Sequence, residues 1–151
     1  MSIKVKSIKV KISPLIIFIP MVLAVTRHLA EYCIALLSIA LHEAAHIIVA
    51  RFLGYRPEEI KITPAGLSAT IDTISGSVSV TVLICLAGPL TNILVHALSF
   101  AAMNELGSIN LPGSPDWVPG IRQILQVISA TNLFFAAFNL MPALPLDGGR
   151  I

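Results

Sequence analysis

From Cys33 to Ala50 the chain carries one formal charge, Glu43, and that charge stands between two histidines in His42-Glu43-Ala44-Ala45-His46. The surrounding run has no polar face apart from Ser38 and the motif itself. An ionised carboxylate near the centre of a bilayer costs roughly 3 kcal/mol or more, so a residue placed there needs a partner or a function. On a helix, positions i and i+4 share one face, and both imidazoles can meet one metal ion. Glu43 lies next to that face, where it can take a proton from an attacking water and pass it to a leaving amine. The alternative reading is two histidines and a glutamate bonded to one another as packing glue. A water-soluble metal-binding helix is disfavoured, because it would be amphipathic around the motif.

Composition points the same way. Of 151 residues, 56% are hydrophobic and 12% charged, whereas a soluble domain is about a quarter charged. A bilayer is the cheaper home for such a chain. The net charge of +2 gives no argument for nucleic acid as a partner. Lys4, Lys6, Lys9 and Lys11 precede the first apolar segment and mark a cytoplasmic flank. A cleaved signal peptide is disfavoured, since no clear A-x-A site follows and more apolar segments come later. Cys33 and Cys85 both sit in apolar segments and are expected to be small buried hydrophobes, not a disulfide.

The expected fold is an α-helical membrane protein of about four transmembrane helices, with a small β-hairpin between helices two and three. Residues 1–12 form a cytoplasmic N-terminal arm with strand-like alternation, and residues 13–151 form the membrane core. The first helix, 13–30, is the weakest, being short and holding Pro20. The second covers 32–53 and stops at Gly54. Residues 58–63 and 67–72 read as strands around Pro64-Ala65-Gly66. Residues 77–104 form a third helix broken by Gly88-Pro89, 107–120 a loop, and 121–141 the fourth helix. Lysine and arginine counts near the segment ends place the N-terminus inside.

A catalytic zinc usually takes three protein ligands and leaves one position open. Asp147, in Leu146-Asp147-Gly148-Gly149-Arg150, is the best third candidate. It follows the fourth apolar segment toward the cytoplasmic side, at a depth that His42 and His46 can share. Alone it would read as an Asp-Gly turn. Asn139 lies shortly before Pro142 and Pro145, which free backbone groups. It can hold a substrate carbonyl or donate to an oxyanion, and it fits an interhelical hydrogen bond equally well. Asn92 has the same two readings, with packing ahead. His28 and His96 have no ligand-type neighbours and read as structural.

With these residues in place, the chain resembles the site-2 proteases, zinc enzymes that cut within the membrane. Three elements stand in the family's order: His42-Glu43-Ala44-Ala45-His46, then Gly88-Pro89-Leu90-Thr91-Asn92, then Asn139 through Asp147 to Arg150. Within the family the chain is most similar to the stage IV sporulation protease group. The hairpin tip Pro64-Ala65-Gly66-Leu67 departs from that group's aromatic residue and two glycines.

The resemblance implies zinc held by His42, His46 and Asp147, Glu43 as general base and then acid, and Asn139 positioning the scissile peptide. It implies a substrate that is a membrane protein or membrane-associated pro-protein, an edge strand of the hairpin to receive it, and regulatory membrane proteins as further partners. It implies a multi-pass protein of the bacterial cell membrane, and a chain truncated at its C-terminal end. The alternative is a metal-binding membrane protein or inactive pseudoprotease without peptidase activity.

Overall fold

The computed structural model describes residues 9–12, 28–55, 57–63, 66–71, 77–108, 117–143 and 146–149. The elements are β1 (Lys9–Ile12), α1 (Leu29–Phe52), β2 (Pro57–Thr63), β3 (Gly66–Ile71), α2 (Val78–Ser108), α3 (Val118–Asn139) and a 3-10 turn (Asp147–Gly149). Three of the helices are long and apolar enough to cross a membrane. The count of about four spans is therefore three among the described residues. The expected first helix falls on 13–27, outside them, and its last two residues, Leu29 and Ala30, open α1.

The helices are inverted relative to those of a soluble protein. The buried residues of α1 are Ser38, His42, His46 and Ala50, spaced every four residues. Those of α3 are Val118, Ser129, Asn132 and Ala136. Large apolar side chains instead point outward, with Leu37 at 63% exposure and Phe52 at 87%. Lipid is as apolar as leucine, so outward leucines cost nothing there. Small and polar residues let the helices approach closely and hydrogen-bond. Asn132 donates to Ser38 Oγ at 3.0 Å, joining α3 to α1. His96 Nδ1 lies 2.9 Å from Ser129 Oγ, joining α2 to α3. His96 is thus a structural residue, as its sequence neighbours suggest.

Helix α1 ends where Gly54 adopts φ 88°. The Gly54 amide donates to the Arg51 carbonyl at 3.1 Å and the Tyr55 amide to the Ala50 carbonyl at 2.8 Å, which satisfies the last carbonyls of the helix. Helix α2 runs unbroken through Pro89, contrary to the expected interruption. In hydrocarbon every backbone group needs a partner, so losing one amide donor costs less than opening the helix. Cys33 is exposed, contrary to expectation, while Cys85 is buried.

Strands β2 and β3 pair antiparallel, from Pro57↔Ile71 to Thr63↔Gly66, with an irregularity between Pro57 and Glu59. β1 pairs parallel with β2, Lys9 opposite Glu59 and Ile12 opposite Ile62. The order is β1-β2-β3, and β3 lies alongside α1.

Candidate metal centre

Two imidazoles one helical turn apart and a carboxylate 101 residues beyond the second of them converge on one point. His42 Nε2 lies 3.0 Å from His46 Nε2. Asp147 Oδ2 is 3.0 Å from His42 Nε2 and 3.2 Å from His46 Nε2. Both histidines are buried. Asp147 reaches them because the 3-10 turn folds back on the end of α3. A side chain at Gly148 would stand 2.3 Å from the Leu140 carbonyl oxygen, so only glycine closes that turn. Burial would raise the Asp147 carboxyl, but hydrogen bonds and charge from His42 and His46 outweigh it and hold it below the usual carboxylate range.

The donor set fits a zinc ion. Ligand atoms about 2.0–2.2 Å from zinc in tetrahedral geometry stand about 3.3 Å apart. The three atoms need to separate by only a few tenths of an ångström. The His46 tautomer also suits a ligand. Its Nδ1–H donates to the Ile84 carbonyl at 2.6 Å, which leaves the Nε2 lone pair facing the centre. The space beside both rings is open only because residue 88 has no side chain. A Cβ there would lie 2.4 Å from His46 Nε2 and 2.6 Å from His42 Nε2.

A cavity of about 200 Å³ opens beside the centre, lined by Ile39, His42, Glu43, Asn92, Phe135, Phe138 and Asn139. Glu43 and Asn139 therefore share one space with His42, an imidazole of the triad. Asn139 Nδ2 donates to the Phe135 carbonyl of its own helix at 3.0 Å. Asn92 is fully buried, with Nδ2 3.2 Å from His42 Nδ1. Sequence reasoning ranked packing first for Asn92 and gave no role to Ile84. Their spacing of eight residues around Gly88, all on one face of α2, was the available signal.

The family described as Peptidase M50B-like matches residues 15–111. The chain belongs to that family. A zinc metalloprotease of Methanocaldococcus jannaschii is 32% identical over 120 residues, covering 80% of this chain and 32% of that protein. Stage IV sporulation protein FB of Bacillus subtilis is 24% identical over 147 residues, covering 95% of this chain and 46% of that protein. Among solved structures, the site-2 protease from Methanocaldococcus jannaschii superposes with a TM-score of 0.69 at 26% identity, covering 99% of this chain and 68% of that one. The resemblance read from the three motifs is borne out, including its sporulation-group branch. The chain spans about a third of the length of the first of these relatives and just under half of the second.

Proposed function

We propose that the protein is an intramembrane zinc metallopeptidase, hydrolysing peptide bonds of membrane-embedded or membrane-associated substrates. The observation that carries this reading is the convergence of His42, His46 and Asp147 beside Glu43, at a cavity between helices fit to span a membrane. His42, His46 and Asp147 would hold zinc, which would supply a Lewis acid to polarise the scissile carbonyl and acidify the attacking water. The similarity to a zinc metalloprotease of Methanocaldococcus jannaschii supports the choice of metal.

The chain's own residues do the remaining work. The water oxygen attacks the carbonyl carbon as Glu43 accepts its proton. Glu43 then gives that proton to the amide nitrogen, the C–N bond breaks, and the products are an amine and a carboxylic acid, whose remaining proton passes to the amine so that a carboxylate and an ammonium leave. Asn139 donates to the substrate through the Nδ2 hydrogen that the Phe135 carbonyl does not take. A helical substrate hides its carbonyls, so it must be extended before cleavage. β3 carries no strand on its outer edge among the described residues and receives the extended segment. The N-terminal arm lies on the cytoplasmic side of a bacterial cell membrane, and regulatory membrane proteins act on the core formed by residues 13–151.

The test is Glu43→Gln, assayed on a membrane-tethered reporter together with zinc content. Loss of cleavage with zinc retained is expected. Undiminished cleavage would remove Glu43 from the mechanism. Zinc bound by a wild-type chain that cleaves no membrane substrate would favour a pseudoprotease.

A further inference from the structure

His42 faces a choice that His46 does not. Its Nε2 points at Asp147 and His46, and its Nδ1 points at the carboxamide of Asn92. Asn92 is fully buried, with Nδ2 3.2 Å from that ring nitrogen, while Oδ1 is buried without a hydrogen-bond partner. In this arrangement Nδ1 must accept. A neutral ring that accepts at Nδ1 carries its proton on Nε2, and a protonated Nε2 has no lone pair for a metal. A half-turn of the amide exchanges O and N with almost no movement of heavy atoms. It brings Oδ1 to Nδ1, relieves the orphaned oxygen, and leaves Nε2 free. Asn92 also lines the cavity that Glu43 and Asn139 line.

We infer that Asn92 is a positioning residue for the metal centre: its Oδ1 accepts the Nδ1–H of His42 and holds the ring's Nε2 lone pair toward Asp147 and His46. This rests on the zinc reading above. The Ile84 carbonyl does the same for His46 at 2.6 Å. Ile84, Gly88 and Asn92 stand four residues apart on α2. One helix face thus fixes both imidazole tautomers at its ends and leaves room for the ion in the middle, where a Cβ on residue 88 would collide with both rings. The carbonyl of Ile84 needs no particular side chain. Asn92 does, so it is the member that substitution can test.

The experiment measures zinc affinity of the full chain in detergent by competition with a chromophoric chelator, for wild type, Asn92→Asp and Asn92→Leu. Losing an outer hydrogen bond to a ligating imidazole typically costs 10–100-fold in metal affinity, and Asn92→Leu is expected to fall in that range. Asp can still accept from Nδ1–H, so Asn92→Asp is expected to stay within a few-fold of wild type. Nitrogen-15 spectra of the His42 ring in the metal-free chain should show the Nδ1–H tautomer in wild type and Asn92→Asp, and a mixture in Asn92→Leu. The inference is overturned if Asn92→Leu binds zinc as wild type does, or if Asn92→Asp loses as much as Asn92→Leu. Should Asn92→Leu not fold, Asn92→Asp decides alone: retained affinity supports the role, and a tenfold loss overturns it. A wild-type chain that takes up no zinc would overturn the zinc reading itself, and this role with it.

Discussion

Replacing Gly88 with alanine should empty the metal centre while leaving the helices folded. The added Cβ would stand 2.4 Å from His46 Nε2 and 2.6 Å from both His42 Nε2 and Cε1, where ordinary contacts begin at 3.4 Å. Each ring must retreat by nearly 1 Å. Metal–ligand distances tolerate only about 0.2 Å. Moving a ligand itself should cost at least as much as losing its outer hydrogen bond, so zinc affinity should fall 100-fold or more, about 2.7 kcal/mol at 1.36 kcal/mol per decade. Folding is affected less. Alanine in a helix interior is favoured over glycine by about 1 kcal/mol, and overpacking costs roughly 1–3 kcal/mol, leaving a net loss of up to about 2 kcal/mol. Zinc per chain and chelator competition read the first effect, and helical circular dichroism on heating reads the second. Gly120→Ala is the control, since its Cβ would meet nothing within 4 Å. Wild-type zinc affinity in Gly88→Ala would refute the reasoning, because two imidazoles could not then be meeting an ion beside that backbone.

Other perturbations separate the parts of the site. Glu43→Gln should lower cleavage by about 10²–10⁴-fold, the usual contribution of a positioned acid–base group, without loss of zinc. Asn139→Ala should lower cleavage and leave zinc affinity unchanged, since Asn139 touches the cavity and not the ligand triad; a parallel loss of zinc would contradict that separation. Asp147→Asn should lower the melting temperature of the metal-free chain at pH 7. The folded Asp147 carboxyl titrates below its unfolded value, so its stabilisation is present above the ordinary carboxylate range and is lost as pH falls beneath it. The difference between wild type and Asp147→Asn should therefore persist down to about pH 4 and shrink only below that. A difference that vanished by pH 6 would mean the carboxylate is not held by the two imidazoles.

How much of this was legible in the sequence depended on the range of the interaction. The spacing of His42 and His46 is a local fact of helix geometry, and one uncharged run carries it. The stop at Gly54 is equally local, because positive φ selects glycine. Asp147 was reachable only through topology: two helices had to bring it back to the depth of His42, and the tight closure at Gly148 does the final placing. Pro89 misled, because a proline reads as a helix break in water, where a freed carbonyl finds solvent. In hydrocarbon the cheaper course is to keep the helix, and α2 does so. The burial pattern misled for the same reason at Cys33, since an apolar side chain in a membrane helix gains nothing by facing inward. The parallel pairing of β1 with β2 joins residues 50 apart and has no local signature. Asn92 and Gly88 show the remaining limit most clearly. Their side of α2 is defined by what α1 places against it, and a glycine whose purpose is the space it leaves looks in sequence like any small residue in a crowded helix. That is why a missing side chain and a buried carboxamide, both invisible as ligands, are the positions where substitution tests the metal centre most sharply.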